Sequence, residues 1–336
     1  MFDKLFVGIC TLSLVTSLTF GAQGVKFFIG NGDKEEAFMD MVNNQISTIG
    51  FVLTDSHGRI NDAYKVKWGN EYKTVKGVKI KNDEYDSSFK ETLDNIGFFS
   101  IANNKIVEPL LEKEPTLGAF TPFNFLVYKT KGENITYVGH VMPETMLDIA
   151  GVKDQNVRFK FIGSFAKLDA MTQKNIGSNI KILDYKALPD KPMMTFEVPF
   201  DRANGVEEFT SDFQAKFEKK FEENKYIIAG FKNIKDEMEA EGMKFDRFDA
   251  YWVYSLCHFR FSEGIFNQGR PDAGVFAPCS MYMYIDKNSN KLMVGMPRLS
   301  TWDAVMDLKD KKMVDSLYAL DKEITKIMIE LGAKEI

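Results

Sequence analysis

The chain is poor in the residues and motifs that usually carry chemistry. Its 336 residues include three cysteines and three histidines. It has no Cys-x-x-Cys pair, no phosphate-cradling glycine loop and no Gly-x-Ser-x-Gly elbow, which argues against thioredoxin-like, nucleotide-hydrolysing and α/β-hydrolase chemistry. His57, His140 and His258 are scattered, with no metal-ligand spacing between any two. Asp286-x-Asn288-x-Asn290 resembles the start of a calcium loop, but Lys291 stands where glycine is needed, so a hairpin turn is expected. Basic excess is also missing. With 43 Lys and Arg against 48 Asp and Glu, the net charge of −5 leaves nothing to neutralise phosphates, and no nucleic acid is expected as a partner.

What is present is ordinary globular composition, 44% hydrophobic and 27% charged, in a length that suggests about two domains. Phenylalanine is heavily used, at 29 residues. The N-terminus has Lys4, an apolar run from Leu5 to about Phe20, then Gly21 and Ala22, the order of a secretory signal over residues 1–22. Cys10 lies inside that run, and bulky Ile9 before it does not suit lipidation. No later apolar run is long enough to span a bilayer, so the expectation is a periplasmic or secreted protein without a membrane span after cleavage.

Two stretches are nearly the same line: GAFTPFNFLVYKTKGENITYVG from Gly118 and GVFAPCSMYMYIDKNSNKLMVG from Gly274, 156 residues apart. Without gaps they share Phe120/Phe276, Pro122/Pro278, Tyr128/Tyr284, Asn134/Asn290 and Gly139/Gly295, and the register continues to Asp154/Asp310. This points to duplication. Residues 23–177 form one expected module and residues 193–336 the other, with a connector over 178–192 where Pro189 and Pro192 bracket an Asp-Lys pair.

Each module begins with an extended segment, Val25 to Ile29 or Met193 to Phe200. An amphipathic helix follows, marked in the second by Val206, Phe209, Phe213, Phe217 and Phe221. Short strands at Phe51 and Tyr226 and the quoted hairpins come next. A last helix carries Phe161, Phe165 and Leu168 in one module and Leu317, Ile324 and Ile327 in the other. The first module holds about 18 additional residues within 59–86, where Tyr64-Val66-Trp68 and Val75-Val78-Ile80 predict an inserted strand pair.

The order of elements and two short motifs resemble the family called domain of unknown function 302. The matching text is SIANNKIVEPLLEKEPTLGAFTPFNFLVYK in the first module and SLCHFRFSEGIFNQGRPDAGVFAPCSMYMY in the second. The family pattern is similar to Ala-Cys-Asn-Pro, then Leu-Pro-Cys-Asn. The second module keeps both cysteines, Cys257 and Cys279, and loses both asparagines; the first keeps Asn103 and Asn124 and has Ala102 and Phe123 in place of cysteine. The resemblance implies a tandem pair of α+β modules, each an antiparallel sheet with helices packed on one face. It supplies no catalytic residues.

Candidate binding residues are therefore Cys257, His258, Cys279, Met281, Asn103 and Asn124. Period-two alternation puts Cys279, Met281 and Met283 on one face, soft ligands for Cu(I) or fillers of a core. Phe123, Phe125 and Val127 stand at the same places in the first module, so core is expected and no metal or cofactor. Cys257 and Cys279 either form a disulfide, stabilising by about 3 kcal/mol, or stay as buried thiols. The leading functional expectation is an exported, non-catalytic protein whose modules pair as an intramolecular pseudo-dimer around an apolar cleft. That cleft would take an apolar small molecule or an envelope protein. The alternatives are thiol redox or copper handling through Cys257, His258 and Cys279, and a structural envelope component.

Overall fold

The computed structural model describes residues 22–336. The expected signal segment lies outside the described residues except for Ala22, which opens the first strand. The first module runs β1 (Ala22–Asn31), α1 (Glu35–Asp40), β2 (Val52–His57), α2 (Ile60–Tyr64), β3 (Tyr72–Val75) and β4 (Val78–Lys81). It continues through β5 (Leu93–Ala102), β6 (Phe123–Thr130), β7 (Ile135–Val141), α3 (Pro143–Ile149), α4 (Gln155–Asn175) and β8 (Asn179–Tyr185). The second has β9 (Met193–Pro199), α5 (Val206–Glu223), β10 (Tyr226–Asn233), α6 (Ile234–Ala240), β11 (Phe248–His258) and α7 (Phe259–Phe266). β12 (Cys279–Asp286), β13 (Lys291–Pro297), α8 (Ser300–Met306), α9 (Lys311–Glu330) and β14 (Lys334–Glu335) complete it. Among the described residues no helix is long and apolar enough to cross a membrane.

The two six-stranded sheets have corresponding strand orders, β2-β5-β6-β7-β1-β8 and β10-β11-β12-β13-β9-β14, with antiparallel pairing throughout. The fold is α+β, as expected. Ladder positions match in detail. Leu53 opposes Ile101 as Ile228 opposes Leu256, and Phe125 opposes Phe99 as Met281 opposes Tyr254. Leu53 and Ile228 are 175 positions apart while Ile101 and Leu256 are 155 apart, so the first module is longer by 20 residues between those strands.

Two boundaries differ from expectation. The strand pair inside 59–86 is β3–β4, at 72–81; Tyr64 and Trp68 sit instead in helical turns. Their spacing of four places both rings on one helical face, and both pack on Phe259 of α7 at centroid distances of 4.9 and 5.3 Å. The first half of the expected connector is β8, which covers the open edge of β1. Its side chains are largely exposed, so it lacks the half-buried alternation that marks a strand in sequence.

Helices line one face of each sheet. In the first module Phe38 of α1 and Phe165 of α4 meet Phe125 and Phe123 of β6 at 5.5 and 4.6 Å. The other face is covered by the partner module. The turn Pro115–Phe120 lies on β11 and β12, and the turn Pro271–Phe276 lies on β5 and β6. Tyr251 Oη donates to Pro115 O at 2.5 Å. A Cβ at Gly118 would sit 2.5 Å from Tyr282 Cβ, and one at Gly274 would sit 2.7 and 2.9 Å from Phe98 and Leu126. Only glycine lets the turns approach this closely. Phe120 and Phe276 end the two turns, both buried, and burial of each ring contributes about 2 kcal/mol.

A charged cluster also joins the modules. Glu108, fully buried before the first turn, lies 3.1 Å from Lys232 Nζ of β10, which also pairs with Glu237 of α6. Neither Glu108 oxygen has a well-oriented hydrogen-bond donor. Burial raises its carboxyl to about 7, with Lys232 opposing and Glu237 and Glu241 adding to the rise.

Gly118→Ala and Gly274→Ala should each cost about 1–3 kcal/mol in urea unfolding. Gly163→Ala in α4, where a Cβ meets nothing within 4 Å, should instead stabilise by about 0.5–1 kcal/mol. A native Glu108 holds the proton that the unfolded chain loses near 4.5, so its contribution is greatest below that pH and falls as pH rises to about 7. Thermal melts across this window should show a fall of up to about 3 kcal/mol that Glu108→Gln removes; an unchanged slope in the variant would assign the fall to other groups.

Candidate functional site

β11 ends at Cys257-His258, where the chain turns into α7, and β12 begins beside it at Cys279. Under α8 and α9 these residues join Tyr226, Trp302 and Ile324 around an apolar cavity of about 20 Å³, measured as space for the centre of a water-sized sphere. That is room for one or two waters. His258, Phe261 and Leu320 line both this cavity and an open groove of about 850 Å³ between α7 and α9. Arg260, Glu263, Lys312 and Glu323 supply charge to the groove, while Phe261, Met313 and Leu320 supply its apolar surface.

The expected apolar cleft between modules is filled. Between the exchanged turns lies a pocket of about 20 Å³, lined by corresponding pairs 156 positions apart: Phe120 and Phe276, Asn124 and Ser280, Met146 and Trp302. The exchanged turns occupy the volume a ligand would need. Asn124 of the candidate set belongs to this contact, donating from Nδ2 to Pro278 O at 2.8 Å.

Cys257 and Cys279 are free thiols. The ladder sets Leu256, not Cys257, opposite Cys279, one residue out of the direct register of a cross-strand bridge. Cys257 Sγ contacts Ser262 Oγ at 3.9 Å, and Ser262 Oγ in turn accepts from Tyr64 Oη of the first module at 2.8 Å. Burial pushes the Cys257 thiol up to about 11 and the Cys279 thiol higher still, with Cys257 and Asp321 adding to the latter. Neutral thiols are poor nucleophiles and poor metal ligands. Among the described residues no group of three or more His, Cys, Asp or Glu side chains is placed to hold a metal ion.

His258 has a structural task. Its Nδ1 accepts from Phe261 N at 3.2 Å, capping α7, while burial lowers its basicity against the pull of Glu323. Asn103 does the same in the first module, its Oδ1 accepting from Ile106 N at 3.0 Å. The polar residue after the third long strand is thus a cap in both modules. Two residue types at one place, each followed three positions later by a turn amide, were the signal for it. Met281 is fully buried on β12, opposite Tyr254, so the expected core role holds for its side chain.

The modules differ at this site. In the first, Phe123 and Phe165 pack at 4.6 Å, with Phe51 at 6.1 and 6.4 Å from them and His140 at 6.0 and 5.3 Å. His140 is satisfied there: Asp169 lies 2.9 Å from its Nε2 and also binds Lys26 at 2.6 Å. At the corresponding ladder and helix positions the second module has Cys279, Asp321, Tyr226 and Met296. Asp321 accepts from Leu299 N and Ser300 N at 2.7 and 3.1 Å, holding the start of α8. Three of the four rings that close the first module's interior are therefore missing from the second, which keeps a cavity. Copy-to-copy comparison at Phe165 and Asp321 was the sequence signal for this difference.

Residues 87–172 match the family model described as Domain of unknown function DUF302, from just before β5 into α4. A solved structure, the uncharacterized conserved protein DUF302 from Bacillus stearothermophilus, aligns over 42% of this chain and 95% of its own, at 13% identity and a TM-score of 0.32. No curated protein matches the chain. The family match covers the first module's β5, β6, β7 and α3, the part of the fold that carries the exchanged turn.

Proposed function

We propose that the chain is a tandem pair of modules of this family, exported to the periplasm, that binds a small molecule rather than transforming it. The second module does the binding and the first supports it. The observation that carries this is the asymmetry of the interiors: phenylalanines plug the first module where the second has Cys279 and Asp321, beneath a groove of about 850 Å³. That volume lies in the range of small-molecule sites, whereas the cavity behind it takes only water. Charged groups around apolar Phe261, Met313 and Leu320 suit a compact amphiphile, its apolar body against α9 and its polar head near Arg260 or Lys312. Thiols held protonated by burial weigh against redox or copper handling.

A dansyl-labelled fatty acid should bind the purified protein saturably, and native mass spectrometry of protein from its own cells should find a retained small molecule. Ala319→Trp, on the exposed groove wall, should weaken the dansyl probe by about tenfold or more without lowering the melting temperature. Failure of both binding measurements would sink the proposal. Iodoacetamide at neutral pH should alkylate Cys257 about 100-fold more slowly in the native protein than in an unfolded peptide, since its thiolate fraction falls tenfold per unit rise. Equal rates would instead favour a thiol role.

A further inference from the structure

The β3–β4 hairpin belongs to neither six-stranded sheet. Its register pairs Tyr72 with Lys81, Lys73 with Ile80, Thr74 with Lys79 and Val75 with Val78 across a Lys76-Gly77 turn, both turn residues having positive φ. Opposed residues share a face. One face therefore carries Val75, Val78 and Ile80 with Lys73, and the other carries Tyr72, Thr74, Lys79 and Lys81. Val78 is 61% exposed and Val75 45%, so the apolar tip stands in water. A lone hairpin gains little stability from such residues, which are costly to expose without a partner.

Charge selects that partner. Residues 65–82 contain six lysines, Lys65, Lys67, Lys73, Lys76, Lys79 and Lys81, and one acid, Glu71, in a chain whose net charge is −5. Lys65 and Lys67 are paired with Glu91 and Glu84 at 3.1 Å, and Lys73 with Asp83. Lys76, Lys79 and Lys81 make no ion pair among the described residues; Lys79 rests over the Tyr72 ring at 4.6 Å. Two such hairpins would repel, which disfavours a second copy as the cover. A soluble polyanion would use the lysines and leave the valines wet.

We propose that this hairpin docks the protein on an anionic lipid bilayer. Val75 and Val78 enter the boundary between headgroups and acyl chains, and Lys76, Lys79 and Lys81 meet lipid phosphates. The root of the insert is fixed to the body by Tyr64, Trp68 and the Asp86–Arg260 pair at 2.7 Å, so docking the tip also orients the α7–α9 groove relative to the membrane.

The test is co-sedimentation with phosphatidylcholine vesicles, with and without phosphatidylglycerol. Binding should require phosphatidylglycerol and weaken about tenfold or more for Val75→Asp/Val78→Asp and for Lys76→Gln/Lys79→Gln/Lys81→Gln. All these side chains are exposed, so both variants should melt as the parent does. Val78→Trp should shift its fluorescence to the blue on the same vesicles. Absence of vesicle binding overturns the proposal. So does loss in the lysine variant with full binding in the valine variant and displacement by heparin, which marks a polyanion site. A concentration-dependent dimer that the valine variant abolishes would assign the face to self-association.

Discussion

The reciprocal placement of two turns on two sheets is the contact on which the rest of the structure depends. Each sheet has its long helices on one face, and its central strands are nevertheless buried on both. The second cover comes from the partner's Pro-x-x-Gly turn, seated where Gly118 and Gly274 allow backbone to touch side chains of the opposite sheet. A Cβ at either place would lift the turn and uncover the phenylalanine that ends it. Neither module has a complete interior without the other, so the pair acts as one packed body. The interface is used for stability, and the pocket between the exchanged turns is too small for anything beyond water.

With the centre closed, differences between the modules decide where a ligand can sit. Both use the same frame, including a polar residue after the third long strand whose side chain caps the following turn, Asn103 in one and His258 in the other. Around that frame the first module spends rings on its interior, and the second places a thiol and a carboxylate there instead. Burial then governs the chemistry. It keeps both thiols neutral, beside a cavity that shares His258, Phe261 and Leu320 with the groove outside.

The insert of the first module links these features. Its helical root packs on α7 and helps set one wall of the groove, through Tyr64 to Ser262 and Trp68 to Phe259. Its tip carries lysines and valines into solvent. A single insertion in one module thus breaks the symmetry at both ends: next to the candidate site and at the molecule's surface.

Much of this was legible without coordinates. Period-three-to-four phenylalanines marked α5, alternation marked the hairpin strands, and a constant offset of 156 marked two like modules, because local patterns record which face of an element is buried. The helical turns of Tyr64 and Trp68 were not legible, since aromatic and β-branched residues there also suit a strand. Sequence alone thus determined the elements with clear periodicity, the correspondence of the modules and the short list of thiols and histidines. Only the tertiary structure decided that the turns cross between modules and occupy the space where the two sheets face each other. Those outcomes depend on contacts between residues more than a hundred positions apart, whose distances no local pattern encodes.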